Sequence, residues 1–235
     1  MRMWFILAVI FIVTAFYATA VIVHMVLWRN DDVFFVYARS WSRFLLRIAG
    51  ITVRTEGANN LPPGMRAIYV ANHASLFDIP VILAHVPDNV RIMYKRELER
   101  IPVFGWCLRR SPFIAIDRER SREAADVLET VVSTMRTGSS VLVFPEGTRS
   151  EDGHVQAFRR GAFTLAVRSG RPIVPLALIG TASILPKGTK RINGGVVTLR
   201  IGAPIEVPSE ATRAEEKELM STVRQIIAEA VDSRS

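Results

Sequence analysis

Ala67-Ile68-Tyr69-Val70-Ala71-Asn72-His73-Ala74-Ser75-Leu76-Phe77-Asp78 is the stretch on which the reading of this chain turns. Its first residues, Ala67 to Ala71, are apolar, β-prone and short, as a buried strand should be. His73 therefore stands just past a strand end, and Asp78 follows five positions later. On one continuous helix that step is a rotation of about 140°, which would point the two side chains apart. They meet only if the chain turns between them. Pro80 locates the turn, because proline is tolerated in the first turn of a helix and not deeper. A helix is therefore expected over Ile79–His85, starting near Asp78. Two readings of the pair are open. Asp78 could hold one ring nitrogen of His73, fix its tautomer and make the imidazole a general base. Alternatively, Asp78 caps the helix and His73 is an unrelated loop residue.

Outward from this stretch the pattern is globular and alternating. Short β-prone runs lie at Ile51–Thr55, Ala67–Ala71, Arg91–Tyr94, Phe113–Ile116, Ser140–Phe144, Pro172–Leu178 and Val196–Ile201. Helical patterns fall at Ile79–His85, Arg120–Arg136 and Ala157–Arg168, and a last one at Glu210–Val231 closes the chain. Alternation of this kind predicts an α/β layer with a largely parallel sheet. The run Val141–Phe144 is apolar throughout, as a strand covered on both faces would be.

A second polar cluster follows that strand: Phe144-Pro145-Glu146-Gly147-Thr148-Arg149-Ser150. Gly147 lets backbone approach a ligand closely. Arg149 offers a planar fork suited to phosphate. Glu146 could hold that arginine or accept a hydrogen bond from a substrate hydroxyl. Arg118 and Lys95 each follow a strand as well. Strand ends on one edge of an α/β sheet converge on the crevice where ligands bind, so Lys95, Arg118 and Arg149 could together serve a phosphate. Read singly, each is an ordinary loop charge.

The N-terminal part is of another character. Met3 to Trp28 carries no charge, long enough for the roughly 20 residues a bilayer crossing takes. It exceeds the apolar core of about 7–15 residues expected of a signal peptide. Val33–Ala49 mixes large aromatics with Arg39, Arg43 and Arg47, which stack on one helix face and suit the headgroup region. Arg2 alone precedes the span, whereas Arg29, Arg39, Arg43 and Arg47 follow it, which places the remaining chain in the cytoplasm. A hairpin dipping into one leaflet is the alternative to a crossing. The chain thus divides into a membrane anchor with an interfacial helix over 1–50 and a globular domain over 51–235.

Composition narrows the partners. The 235 residues carry a net charge of +8, which favours an anionic partner: nucleic acid, phospholipid headgroups or a phosphorylated substrate. The single cysteine, Cys107, excludes an internal disulfide and a thiolate metal cluster.

Taken in order, the polar blocks resemble those of the glycerolipid acyltransferase family typified by 1-acylglycerol-3-phosphate (lysophosphatidate) acyltransferase. The first is Asn72-His73-Ala74-Ser75-Leu76-Phe77-Asp78. The second runs from Lys95 through Ile101-Pro102-Val103-Phe104-Gly105 to Ile116-Asp117-Arg118. The third is Phe144-Pro145-Glu146-Gly147-Thr148-Arg149-Ser150, and the fourth Ile173-Val174-Pro175-Leu176. Phe158-Arg159-Arg160-Gly161-Ala162 is similar to the basic Phe-x-x-Gly-Ala stretch that follows the third block. The second block departs at Pro112 and Ala115, where members usually carry a glycine and an aromatic residue.

The resemblance implies one α/β acyltransferase domain, its largely parallel sheet flanked by helices, behind an N-terminal membrane-binding segment. It implies acyl transfer from acyl-CoA or acyl-ACP to the sn-2 hydroxyl of lysophosphatidate, with His73 as base and Asp78 orienting it. Arg118, Glu146, Gly147, Thr148 and Arg149 would bind the acceptor's glycerol phosphate. No metal or other cofactor is implied, the acyl thioester being a co-substrate, and the substrate hydroxyl supplies the nucleophile, consistent with the absence of Gly-x-Ser-x-Gly. The expected setting is the cytoplasmic face of the cytoplasmic membrane, with the bilayer as partner and nucleic acid not. Three other readings compete: another acceptor such as glycerol-3-phosphate, another lysophospholipid or a lyso-aminolipid; a thioesterase; and a non-enzymatic basic protein.

Overall fold

The computed structural model describes residues 2–28, 32–116, 123–136, 138–189, 191–208 and 210–233. The N-terminal helices are α1 (Arg2–Trp28) and α2 (Val33–Ile48). Then come β1 (Ile51–Glu56), β2 (Ile68–Ala71), α3 (Asp78–His85), β3 (Val90–Lys95), α4 (Phe104–Arg110) and β4 (Ile114–Ile116). The chain continues through α5 (Glu123–Arg136), β5 (Ser140–Val143), α6 (Gly161–Ser169), β6 (Ile173–Ile179), α7 (Thr181–Ile184), β7 (Gly195–Ile201) and α8 (Arg213–Asp232). The strands form a seven-stranded sheet in the order β1-β7-β6-β2-β5-β3-β4. β6, β2, β5, β3 and β4 run parallel to one another, β7 is antiparallel to β6, and β1 is parallel to β7.

β2 lies at the centre, and β2, β5 and β6 are buried at every position. Alternate side chains feed two cores. Tyr69, Leu142, Val174 and Leu176 face α2 and α3, while Ile68, Val70, Val141 and Ile173 face α5, α6 and α8. Pro175 stands in a central strand, where a missing N–H is ordinarily damaging. Here the loss is harmless. A residue's N–H and C=O point to the same side of a strand, and the Pro175 carbonyl accepts from Gly202 N (2.8 Å), one residue past the end of β7. The absent donor therefore falls where the β6–β7 ladder stops, at Leu176↔Ile201.

All the expected strands are present, and the sheet is largely parallel as read. Four helices differ. The helix expected from Ala157 begins at Gly161, because Val155 and Gln156 carbonyls accept from Arg224 and Arg159 N donates to Pro145 O (2.9 Å), which holds this backbone out of a helix. The last helix begins at Arg213 rather than Glu210. Thr212 and Glu215 form a reciprocal capping box that fixes the start. α4 and the four-residue α7 fall in stretches read without a helix.

α1 contains a segment, Ile6–Trp28, long and apolar enough to cross a membrane. It does not stand alone. Trp41 donates to Thr14 Oγ1 (3.1 Å), Tyr17 and Ser40 hydroxyls are 3.0 Å apart, and His24 Nδ1 lies 3.4 Å from the Tyr37 hydroxyl, so three polar contacts join α1 to α2. α2 buries Phe34, Phe35, Leu45 and Leu46. The apolar face offered by the sequence to headgroups is thus largely packed on protein, while Arg43 and Arg47 remain exposed. Arg29 lies outside the described residues.

Candidate active site

The parallel strands deliver their following loops to one edge of the sheet. The loop after β2 carries His73, and the loop after its neighbour β5 carries Glu146 to Arg149. The two loops are tied together through a single residue. His73 N donates to Glu146 Oε1 (2.9 Å), and His73 O accepts from Ser150 N (2.7 Å). The imidazole lies flat on Phe144, with ring centroids 4.1 Å apart.

His73 Nδ1 is 2.7 Å from Asp78 Oδ2, and the same oxygen accepts Ala74 N (2.8 Å) and Ser75 N (2.9 Å). Asp78 is the first residue of α3, and the capping position is Phe77, with no side-chain bond. The carboxylate reaches back to the loop instead of capping the helix, which excludes the capping reading and leaves Asp78 holding a ring nitrogen of His73. Asp78 is fully buried. An ionised carboxylate only accepts, so the proton on Nδ1 is assigned by this bond and the Nε2 lone pair is left facing outward. Nε2 makes no hydrogen bond among the described residues.

Asn72 anchors the loop from below. Its amide donates to Leu178 O (3.0 Å) and accepts from Leu178 N (2.8 Å), continuing the β2–β6 pairing with a side chain in place of backbone. Glu146 sits differently from the sequence expectation. It is buried, and its oxygens accept His73 N and, more loosely, Gln156 N (3.4 Å). In this arrangement it braces the His73 loop and does not hold Arg149. Burial raises its carboxyl above the ordinary carboxylate range, against the lowering effect of those two backbone N–H bonds.

Gly147 has φ 75°, the left-handed region that glycine enters freely. Thr148 beyond it is exposed, and Arg149 is half-buried, without a hydrogen bond or ion pair among the described residues. Lys95 ends β3 on the same edge, exposed and likewise unpartnered among the described residues. A cavity of about 500 Å³ opens beside the His73 loop at Leu76 and Phe77. Its almost wholly apolar walls come from α1, α2, α3 and α4, with Tyr17, Trp41, Leu83 and Phe104 among them.

A sequence model of the acyltransferase family matches residues 52–179, from β1 to the end of β6. The chain belongs to the acyltransferase family. Among its relatives, the chloroplastic 1-acyl-sn-glycerol-3-phosphate acyltransferase LPAT1 of Arabidopsis thaliana is 33% identical over 231 residues, covering 94% of this chain and 63% of that one. The 1-acyl-sn-glycerol-3-phosphate acyltransferase alpha of Homo sapiens is 32% identical over 186 residues, 75% of this chain and 65% of that one. The chain thus spans between half and two-thirds of the length of curated relatives it matches. The crystal structure of PlsC, the 1-acyl-sn-glycerophosphate (LPA) acyltransferase of Thermotoga maritima, superposes with a TM-score of 0.83 at 29% identity, over 99% of this chain and 92% of that one.

Of the residues singled out from the sequence, the structure bonds His73, Asp78 and Glu146 into one unit. Gly147, Thr148 and Arg149 continue from it, and Lys95 lies on the same edge. Arg118 lies outside the described residues. Asn72, Phe144 and Ser150 stood inside the recognised blocks without a role. An asparagine directly after a strand is the signal that could have assigned the first; Phe144, half-buried just past β5, meets His73 only through the pairing of β2 with β5.

Proposed function

We propose that this chain transfers a fatty acyl group from an acyl thioester, acyl-CoA or acyl-ACP, to the sn-2 hydroxyl of lysophosphatidate, giving phosphatidate. The observation that carries the reading is the 2.7 Å contact of His73 Nδ1 with an Asp78 carboxylate that is itself clamped by two backbone N–H groups. That clamp fixes the ring, presents Nε2 as base, and stabilises the imidazolium that forms. Nε2 takes the proton of the acceptor hydroxyl as its oxygen attacks the thioester carbonyl carbon. The tetrahedral intermediate collapses with loss of the C–S bond, and the thiolate recovers a proton from the imidazolium. The relatives' names support the acceptor and the apolar cavity supports a fatty chain. Arg149, with Lys95 and Arg118, would hold the phosphate, and Gly147 and Thr148 would shape the cradle around the glycerol. Glu146 acts here through His73. The α1–α2 pair would keep the site at the cytoplasmic surface of the cytoplasmic membrane, where an amphiphilic acceptor is concentrated.

The test is a product assay with purified full-length protein in detergent. Labelled acyl-CoA or acyl-ACP would be offered with lysophosphatidate, glycerol-3-phosphate or a different lysophospholipid. Phosphatidate from lysophosphatidate, and its loss by about 10²–10⁴-fold in a folded His73→Ala variant, is the expected result. Normal turnover by His73→Ala would remove the base. Product from another acceptor alone would replace lysophosphatidate in the reading.

A further inference from the structure

Two adjacent arginines precede α6, and the structure uses them differently. Arg160 Nε is 2.6 Å from Glu216 Oε2, a carboxylate that is itself 7% exposed, so its charge is neutralised against α8. Arg159 makes no side-chain hydrogen bond or ion pair among the described residues, although it is exposed and could extend into water. Instead it lies on the Glu146–Arg149 loop. Its backbone N donates to Pro145 O (2.9 Å), and its guanidinium covers Gly147 so closely that a Cβ there would stand 3.0 Å from Cζ and Nε. Gly147 thus has two reasons to be glycine: its positive φ, and the room Arg159 occupies.

The electrostatics of this placement point outward. Arg149 is two residues from Gly147 and is also without a partner among the described residues. Two arginines without partners among the described residues therefore belong to one loop region: Arg159 over Gly147, and Arg149 two residues beyond it. The nearby carboxylate, Glu146, is buried and turned to His73 N and Gln156 N. Like charges held together on one loop repel unless an anion joins them. A guanidinium fork matches the oxygens of a phosphate, and two such forks match the charge of a phosphomonoester.

We propose that Arg159 is a phosphate-binding residue of the acceptor site, closing over Gly147 and acting with Arg149 to set a preference for acceptors that carry a phosphomonoester. The proposal rests on the acyl-transfer reading above. The same chemistry could come from the phosphates of a coenzyme A donor, and the experiment separates the two sources.

Full-length wild type, Arg159→Ala, Arg159→Lys and Arg160→Ala would be compared in detergent, varying lysophosphatidate and acyl-CoA in turn. Arg159→Ala is expected to raise the KM for lysophosphatidate about tenfold or more, as loss of a charge-assisted bond should, with little change in kcat or in the KM for acyl-CoA. Arg159→Lys should recover part of the loss. With monoacylglycerol, which has no phosphate, wild type and Arg159→Ala should perform alike. Arg160→Ala should lower thermal stability and leave the acceptor KM in place. An unchanged KM for lysophosphatidate, a rise confined to acyl-CoA, or an equal loss with monoacylglycerol would each overturn the assignment. A readout free of turnover keeps the two proposals apart. Inorganic phosphate should raise the Tm of wild type more than that of Arg159→Ala. Equal shifts would overturn the Arg159 site, whereas a wild type that makes no phosphatidate yet shows the differential shift would overturn only the reaction.

Discussion

Glu146 is a charge placed where water cannot reach it well. Its exposure is 4%, and burial outweighs the two backbone N–H bonds it accepts, so its folded pKa lies above its unfolded value. The sign follows from linkage. A group with a raised folded pKa contributes its stability fully below the unfolded pKa, about 4.3 for glutamate, and loses it as pH rises through the folded value. In Glu146→Gln, which does not titrate, that loss is absent. The unfolding free energy of the variant relative to wild type should therefore shift in the variant's favour from acid to neutral pH, by about 1.4 kcal/mol for each unit of elevation. Denaturant titrations of both proteins across that range measure it, and a flat difference would mean that burial does not govern this carboxyl. Activity should fall in the same variant, because an amide group must set its NH₂ against one of two backbone donors and loosen the His73 loop. Asn72 shows the opposite solution to burial: at 2% exposure it is neutral, and it is doubly bonded to Leu178.

At the scale of elements, the informative part is α4 and the turn that leads into it. Val103 has φ 65° and ψ −59°, with Phe104 N donating to Pro102 O (2.7 Å), a γ-turn that a β-branched residue adopts at a cost of about 1–3 kcal/mol. Gly105 follows because a Cβ would meet Glu99 O at 2.2 Å. The turn aims α4 so that Phe104, Cys107 and Leu108 close one wall of the apolar cavity. Burial pushes the Cys107 thiol up to about 11, so it stays protonated and unreactive at neutral pH. A thiol reagent should label native protein slowly and unfolded protein fast, and a bound long-chain acyl thioester analogue should slow native labelling further. Rapid native labelling would mean that α4 opens freely. This element was hidden in the sequence. Strand runs such as Ile68–Ala71 announce themselves by apolar continuity, and His73–Asp78 by spacing around Pro80. A seven-residue helix launched from a strained turn has neither periodicity nor a cap to read. The orientation of Glu146 was illegible for a related reason: which groups a buried carboxylate meets is settled by the parallel pairing of β2 with β5, a relation between residues 73 positions apart.

At the scale of the molecule, α1 is both long and apolar enough to cross a membrane and a wall of the cavity. Its polar contacts to α2 centre on Thr14 and Tyr17, midway along a helix about 40 Å long. If α1 crossed the bilayer, those residues would sit near its centre and Arg39, beside Ser40, would be drawn into hydrocarbon at a cost of about 2.5–3.5 kcal/mol or more. Arg39 instead donates to Asp88 O (3.2 Å) at the head of β3. We therefore expect α1 to enter and leave one leaflet, with its N-terminus on the same side as the catalytic domain. Single cysteines near residue 2 and in β1, in a Cys107→Ser background, should be labelled from the same side of sealed vesicles by an impermeant reagent, and labelling from opposite sides would establish a crossing. A different consequence follows from the double tie at His73, whose N–H and C=O are both committed to the loop after β5. The two loops are one transplantable part. A designer who grafts the histidine loop alone onto another parallel sheet would carry over the imidazole without the struts that aim it. Recombination between relatives should likewise succeed only at crossover points that keep residues 72–78 and 144–150 from the same parent.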